Sequence, residues 1–490
     1  MDIAQILDSI DAAVWGPPMI ALLISCHLYT TVRTGFIQRK LPLALKLSIT
    51  KDPNSPGDVS QFAAMITALA STLGTGSIIG VATAVISGGP GAVFWMWITG
   101  ILGMATKYTE VFASVKYRVK NAKGQMMGGA MYIWEERFRR PDGSVPWFAK
   151  LMAMTFAILA GLAILGIGGA VQTSAMTGVV CDNFDFDPMV VSTIIAVSGL
   201  VVMYGGVKSI SSICEKLVPF MAVAYVGGCL YILAVNGAYL IPAVTCILES
   251  AFTAKAAFGG ALGSGLMMAL QYGCARGLFS NESGLGSAPI IAAAASTRNP
   301  ARQALAAMTG TFWCTAVVCL LTGLVMVSSL LAHPEILAGD VVLQGTQLAS
   351  AVFGSIPYVG TPILVVGILC FAYSTFLGWS YYGERCAQYL FGEKGIKPYL
   401  IAYALVGWFG GIGVGSMVWT ISDICNALMA LPNLVIVFIL AGMVARETKH
   451  YVYDGNIDEE CTDPIPLYGQ PRVAAGAAEA ADAAGEKDAQ

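Results

Sequence analysis

Two short stretches of this 490-residue chain carry residue types that could bind a small charged molecule. The first is Gly74-Thr75-Gly76-Ser77, and the second is residues 276–289, with the sequence RGLFSNESGLGSAP. Both lie inside apolar segments of at least about 20 residues, the length that crosses a membrane as a helix. Glycines, hydroxyl residues and charges at this depth predict two interrupted transmembrane helices.

An interrupted helix in a membrane frees backbone groups that only a buried cavity or a ligand can satisfy. N–H groups freed near Thr75, Gly76 and Ser77 would face an anion such as a carboxylate, because a helix N-terminus carries partial positive charge. Carbonyls freed near Ala70 and Leu73 suit a hard cation such as Na⁺. Two facing breaks would suit a substrate with both a carboxylate and an ammonium group. The alternative is that the glycines only allow tight helix packing.

Polar side chains in other apolar segments extend this candidate site. Gln172 stands beside two glycines, where its amide makes either a ligand contact or a helix–helix hydrogen bond. Ser374 and Thr375 could give two hydroxyls to Na⁺, although such hydroxyls also bond to their own helix. Trp379 follows one helical turn later, where an indole either walls a small pocket or packs between helices.

Four charged residues fall within or near apolar segments. Arg276 and Glu282 lie inside one of them, which usually indicates function in a membrane. The alternative is that these two side chains pair with each other as a structural clamp. Asp423 and Glu110 are expected near the ends of their helices, where solvated caps would explain them.

The composition points to an all-α integral membrane protein. Hydrophobic residues make up 56% of the chain and charged residues 12%, against roughly a quarter charged in soluble proteins. The 3 histidines and 12 scattered cysteines form no metal-binding or disulfide pattern. No nucleophile–base pair, basic nucleic-acid face or cofactor motif is visible. We therefore expect no enzyme, no nucleic-acid partner, no obligate protein partner and no cofactor beyond a coupling ion.

Hydropathy and charge together predict about eleven spans with the N-terminus outside and the C-terminus inside. With this topology only Lys255 of the 27 lysines and arginines falls in an external loop, apart from the intramembrane Arg276. That distribution obeys the positive-inside rule. The predicted spans are 14–34, 60–87, 90–116, 148–176, 188–204, 217–236, 264–295, 303–331, 358–390, 398–416 and 420–445.

The two interrupted spans are the second and the seventh, five spans apart. If the first span is an addition, two five-helix halves follow in opposite orientations, as in inverted-repeat transporters. The predicted organisation is an extra helix with its cytoplasmic loop (1–55), the first half (56–240), an external re-entrant or surface segment (241–257), the second half (258–447), and a largely disordered cytoplasmic tail (448–490).

Three longer motifs resemble the alanine or glycine:cation symporter family. They are residues 68–111 around LASTLGTGSIIG, residues 277–290 (GLFSNESGLGSAPI) and residues 371–386 (FAYSTFLGWSYYGERC). The resemblance extends from about residue 14 to 447. It implies a leucine-transporter type of fold in the cell membrane, with ten core helices after one extra helix. It also implies uptake of small neutral amino acids, mainly alanine and glycine, driven by Na⁺ or, in some members, by H⁺.

The resemblance also implies roles for individual residues. Thr75 and Gly76 would bind the substrate carboxylate, and Gln172 would contact the substrate from the fourth span. Trp379 would close the side-chain end of the pocket. The second broken helix would offer carbonyls to the ammonium group and an aromatic lid through Gly277, Phe279 and Ser280. The Na⁺ site would use carbonyls and hydroxyls of Ala70, Leu73, Phe371, Ser374 and Thr375.

Three departures from the family pattern fall at or near the expected site. Ser77 stands where the family usually has asparagine, Ser71 stands where it usually has glycine, and the surroundings of Gln172 differ. A smaller side chain at position 77 leaves room for a larger substrate or a water. The alternatives are therefore a symporter with another substrate, such as serine or glutamine, H⁺ coupling, or an uncoupled facilitator or channel.

Overall fold

The computed structural model describes residues 3–50, 52, 55–253, 265–337, 343, 345–413 and 416–471. Three predictions concern residues outside these ranges. They are the disorder of residues 473–490, the external position of Lys255 and the boundary between residues 257 and 258. Within the described residues the chain is almost entirely helical, as the composition predicts.

The first part of the chain forms eleven α-helices joined by short connections. They are α1 (Ile3–Val14), α2 (Pro17–Arg33), α3 (Leu41–Ser48), α4 (Gln61–Thr72), α5 (Ile79–Gly88), α6 (Gly91–Lys116), α7 (Ala130–Phe138), α8 (Trp147–Ala163), α9 (Gln172–Phe184), α10 (Pro188–Tyr204) and α11 (Gly206–Val235). A π-helical stretch, Ile164–Val171, joins α8 to α9.

The second part of the chain is also built of helices, one of which is broken. Its α-helices are α12 (Leu240–Phe252), α13 (Leu266–Asn281), α14 (Ala288–Ala292), α15 (Pro300–Thr311), α16 (Leu320–Ala332), α17 (Gly345–Gly354), α18 (Gly360–Phe391), α19 (Ile396–Gly411) and α20 (Ser416–Thr448). Two further π-helical stretches are Phe312–Cys319 and Lys449–Tyr453. Single 3₁₀ turns are Ile37–Lys40, Thr75–Ser77, Gly237–Tyr239, Pro334–Leu337 and Glu393–Gly395.

Six helical segments of the described chain are long and apolar enough to cross a membrane: Gln5–Arg33, Trp147–Phe184, Gly206–Val235, Pro300–Ala332, Gly360–Phe391 and Thr420–Tyr453. Shorter apolar helices include Gln61–Thr72, Ile79–Gly88 and Pro188–Tyr204. Helices occupy every one of the predicted spans, and the region expected as a surface or re-entrant segment begins as the regular helix α12.

Both helix breaks form where the sequence contains glycines that favour non-helical backbone conformations. The first separates α4 from α5, where Gly74 has an extended backbone and only a single 3₁₀ turn follows. The second separates α13 from α14, where Glu282 takes a left-handed conformation with φ of 56°. Gly284 and Gly286 in this loop also have positive φ angles of 97° and 79°, a conformation that glycine adopts without a side-chain clash.

A two-stranded parallel pairing fixes the two broken helices to each other at one end. Strand β1 (Val59–Ser60), which leads into α4, pairs with β4 (Ala295–Ser296), which follows α14. A second, antiparallel pair joins β2 (Val119–Lys120) to β3 (Met126–Met127). The guanidinium of Arg118 donates to the carbonyls of Ala295 at 2.8 Å and Pro56 at 3.1 Å. The broken helices therefore share one rigid anchor.

The prediction of a largely disordered tail over 448–490 is wrong for residues 449–471. This segment bonds to α7 and to the residue that precedes α15. The Asn299 amide donates to the carbonyl of Glu459 at 2.8 Å, and the Tyr468 hydroxyl donates to Glu135 at 2.9 Å. Burial and the neighbouring Glu135 raise the pKa of Tyr468 above its usual range. A polar segment can thus be ordered by bonds to an existing surface, without a core of its own.

Candidate functional site

The predicted cation ligands meet where the first break faces α18. The Ala70 carbonyl, at the end of α4, accepts hydrogen bonds from Thr375 Oγ1 at 3.0 Å and Ser374 Oγ at 3.2 Å. Ser374 Oγ also lies 3.0 Å from the carbonyl oxygen of Phe371. Four of the five predicted Na⁺ ligands therefore come together in a buried cluster of oxygen atoms, the ligand type that hard cations take.

Gly74 explains how the unwound chain approaches α18 so closely. A Cβ built on Gly74 would lie 2.7 Å from Thr375 Oγ1, closer than real side chains approach. Leu73, the fifth predicted ligand, directly precedes Gly74 in the sequence. It is buried, and its backbone is not helical. The structure places it beside the oxygen cluster, while the direction of its carbonyl toward a cation stays a prediction.

The predicted carboxylate-binding backbone lies at the 3₁₀ turn of the first break. The Thr75 N–H donates to Gln172 Oε1 at 3.4 Å, and Gln172 Nε2 donates to the Ile167 carbonyl at 3.1 Å. The weak first bond indicates that an amide oxygen stands close to a backbone donor that a carboxylate could also use. The structure thus brings Gln172 and Thr75 together, as predicted from separate parts of the sequence.

The two breaks touch each other through Gly76 and Phe279. A Cβ on Gly76 would lie 2.9 Å from Phe279 Cδ1, so only glycine fits against this ring. Both residues, with Thr75, line a cavity of about 240 Å³. The cavity wall is completed by Asp11, Ile79, Gly80, Thr83, Ile167, Arg276, Thr420 and Asp423.

The second break lies further along the chain than the family resemblance implies. Helix α13 continues to Asn281, so Gly277 lies within the helix and packs against Met96, whose Cα would be 3.2 Å from a Cβ at that position. Its carbonyl is not freed by the break, which corrects its predicted role. Phe279 and Ser280 belong to the last turn, where the carbonyls of a helix lack helical partners. The Ser280 carbonyl instead lies 3.1 Å from the thiol of Cys314.

Ser77 and Ser280 link the two broken helices beneath the cavity. Their hydroxyl oxygens are 3.2 Å apart, and both side chains are fully buried. Ser77 Oγ also lies 3.5 Å from Cys314 Sγ. The two serines therefore belong to a buried polar junction, and neither lines the cavity.

Trp379 connects α18 to both breaks through its indole N–H. Nε1 lies 2.9 Å from Glu282 Oε1 and 3.1 Å from the Ser71 carbonyl oxygen. Glu282 in turn accepts a bond of 2.5 Å from Ser287. Trp379 is buried and does not line the cavity, so its predicted role in closing the pocket stays a prediction. Glu282 is a contact that sequence reasoning left outside the site, although its charge within an apolar segment signalled it.

The alternative in which Arg276 and Glu282 pair with each other as a clamp does not hold. Arg276 instead pairs with Asp423, with a nitrogen–oxygen distance of 3.9 Å, and both residues line the cavity. Glu110 is not a solvated cap either, because it is 1% exposed and accepts a hydrogen bond of 2.5 Å from Asn433. Helical geometry alone does not reveal such contacts between distant spans.

No group of three or more histidine, cysteine, aspartate or glutamate side chains that could hold a metal ion occurs among the described residues. What the structure brings together is an oxygen cluster, two helix breaks and a small cavity between them. Inverted-repeat transporters bind substrate and coupling ion at broken helices of this kind.

The comparisons with known proteins agree with this architecture. The model of the sodium:alanine symporter family matches residues 1–462. The sodium/alanine symporter AgcS of Methanococcus maripaludis is 46% identical over 455 residues, covering 92% of this chain and 98% of that protein. The probable sodium/glutamine symporter GlnT of Bacillus subtilis is 33% identical over 442 residues, covering 89% of this chain and 88% of that protein.

A solved structure supplies the match in fold. MhsT in complex with L-phenylalanine has a TM-score of 0.60 to this chain at 13% sequence identity. The match covers 81% of this chain and 94% of MhsT. It shows a leucine-transporter-like helical fold.

Proposed function

Because the chain belongs to the sodium:alanine symporter family, a family of membrane transporters and not of enzymes, we propose that it carries small neutral amino acids into the cell together with Na⁺. Alanine and glycine are the substrates to test first. The observation that carries this proposal is the meeting of the Ala70 carbonyl with the hydroxyls of Ser374 and Thr375.

Na⁺ would bind between the first break and α18. The hydroxyls of Ser374 and Thr375 now donate to Ala70, and each would turn its lone pairs toward the ion while its proton found another acceptor. The Phe371 and Leu73 carbonyls would complete an oxygen shell. Since the ion would hold an unwound segment against α18, it would favour the conformation that also binds substrate, which is positive coupling between the two ligands.

The amino acid would bind at the neighbouring end of the cavity. Its carboxylate would replace Gln172 as the acceptor for the Thr75 N–H, with Gly76 beside it, because the present bond is long and easily exchanged. Its ammonium group would face the carbonyl end of α13 at Phe279 and Ser280. Alternating access would then move the two broken helices, joined through β1 and β4, against the remaining helices.

The chain would cross the membrane eleven times, with the N-terminus outside and the C-terminus inside. Helix α2 would be the extra span, with two inverted halves following over 56–240 and 258–447. The support for this topology is that helices fill each predicted span and that the positive charges fall on one side. The cell membrane is the expected location, and the lipid bilayer is the expected surrounding.

Substrate choice would depend on the size of the cavity. A cavity of about 240 Å³ accommodates more than glycine or alanine alone. A glutamine carrier is therefore the second candidate, favoured by this volume and by the similarity to GlnT, a probable sodium/glutamine symporter.

Uptake into proteoliposomes tests the proposal. An inward Na⁺ gradient is imposed, and labelled alanine, glycine, serine and glutamine are compared with vesicles that have equal Na⁺ on both sides. We expect alanine or glycine to accumulate only with the gradient. Accumulation of glutamine alone would identify glutamine as the substrate. Uptake driven by an H⁺ gradient in place of Na⁺ would identify H⁺ as the coupling ion. Equilibration without accumulation would indicate a facilitator or channel.

A further inference from the structure

Two buried thiols converge on one hydroxyl beneath the substrate cavity. Cys314 Sγ and Cys319 Sγ lie 3.2 Å and 3.1 Å from Ser280 Oγ. Both cysteines are at most 1% exposed. The same thiol of Cys314 lies 3.5 Å from Ser77 Oγ and 3.9 Å from the Thr72 carbonyl oxygen.

The π-helical stretch Phe312–Cys319 brings these thiols to one side of their helix. In an α-helix successive residues turn by about 100°, so residues five apart would point about 140° away from each other. In a π-helix, whose hydrogen bonds run between residues five apart, each residue turns the helix by less than in an α-helix, so residues five apart point in more similar directions. The spacing of Cys314 and Cys319 therefore matches the local helix type, although no CxxC motif marks the pair in the sequence.

We propose that Cys314 and Cys319, with the oxygens of Ser280, form a binding site for a thiophilic metal ion such as Cd²⁺, whose occupation arrests transport. Soft sulfur ligands select soft metals over the hard cation Na⁺. Each thiol loses its proton on coordination, and the two protons pass to the buffer. The bound ion then has two thiolates and serine oxygens as ligands.

The position of the site explains why the ion arrests the carrier. Cys314 and Cys319 belong to the π-helical stretch between α15 and α16, whereas Ser77 belongs to the first break and Ser280 to α13. A metal held by these ligands ties the Phe312–Cys319 stretch to the last turn of α13, directly beside Ser77 of the first break. Gly76 and Phe279, which line the cavity, directly precede Ser77 and Ser280 in the sequence, so we expect the ion to reach the thiols from the cavity.

Metal binding to the purified full-length chain tests the inference without relying on transport. Equilibrium dialysis with Cd²⁺, together with the ultraviolet absorption of cadmium thiolate, should show one tight site. Cys314→Ser and Cys319→Ser should each weaken it at least tenfold. Cys274→Ser and Cys425→Ser are matched controls, since the first thiol accepts a bond from Thr99 and the second lies on α20.

A measurement on the unmodified chain guards against variants that fail to fold. Maleimide labelling followed by peptide mass analysis should show that Cd²⁺ protects Cys314 and Cys319 together. In proteoliposomes Cd²⁺ should block uptake and a chelator should restore it, with the block lost in either serine variant. Unchanged Cd²⁺ affinity in both variants, or protection of other cysteines only, would overturn the proposal. Absence of any amino-acid uptake would instead refute the proposed function, because the binding assay still reports on the site.

Discussion

The side chain of Ser71 fills the space beside Gly378, so substitutions at these two positions test the packing around the site. Ser71 Oγ lies only 1.9 Å from where a Cβ on Gly378 would stand, and Ser71 Cβ lies 2.9 Å away. Gly378→Ala must therefore displace the serine or the helix. Such overpacking costs about 1–3 kcal/mol of unfolding free energy. Since Ser71 is 1% exposed, the displaced atoms have no free space to enter.

The complementary change is Ser71→Gly. It removes the hydroxyl that bonds to the Thr67 carbonyl at 2.8 Å and costs about 0.5 kcal/mol in helix propensity, because serine is itself a weaker helix former than alanine. It leaves the Ser71 carbonyl available to Trp379. In the double variant the methyl group introduced at position 378 takes the space that the serine vacates. We therefore expect the double variant to be about 1–2 kcal/mol more stable than the sum of the two single effects predicts.

Thermal unfolding in detergent and Na⁺-driven uptake measure these effects for the three variants. Gly178→Ala in α9 is the matched control, because no atom lies within 4 Å of its Cβ position. It should leave the melting temperature equal or slightly raised. The contact would be refuted if the double variant lost as much stability as the two single variants together. It would also be refuted if the Gly378→Ala variant were as stable as the parent protein.

Three other perturbations address separate parts of the account. Thr375→Ala should raise the Na⁺ concentration for half-maximal uptake at least tenfold, about 1.4 kcal/mol, and leave substrate selectivity unchanged, with Thr375→Ser as control. A change in selectivity alone would place the cation elsewhere. Trp379→Phe should lower the unfolding free energy by about 1–3 kcal/mol, because buried Glu282 loses a donor; an unchanged melting temperature would contradict this. Tyr468→Phe should lower the unfolding free energy by about 1 kcal/mol, because it removes the hydrogen bond to Glu135. The Na⁺ dependence of uptake should stay the same, and a shifted Na⁺ curve would disprove this.

The sequence predicts the broken helices and the cation cluster because both depend on local residue types. Glycines at membrane depth mark the breaks, and Ser374 with Thr375 marks a hydroxyl pair whatever the packing. The resemblance misplaces Gly277 because the end of α13 depends on the left-handed conformation of Glu282, which the sequence does not reveal. Contacts between distant spans, such as Arg276 with Asp423, depend on how the helices pack and cannot be read from periodicity.

The same limit explains the features that sequence reasoning missed. Glu282 is visible as a buried charge, but its partner Trp379 lies on a different helix. The thiols of Cys314 and Cys319 meet only because the helix between them is π-helical. Residues 449–471 have too few apolar groups to fold alone, yet they form hydrogen bonds to residues such as Glu135 and Asn299, which are far away in the sequence.

Coupling between the two cargoes is the central claim, and a reversed experiment tests it most directly. Proteoliposomes receive equal Na⁺ on both sides, a clamped membrane potential and an inward gradient of the amino acid that the uptake screen identifies. We predict that radioactive Na⁺ accumulates inside against its own concentration, and that the Thr375→Ala variant loses this accumulation. Amino-acid entry without any net Na⁺ movement in the parent protein would contradict Na⁺ symport.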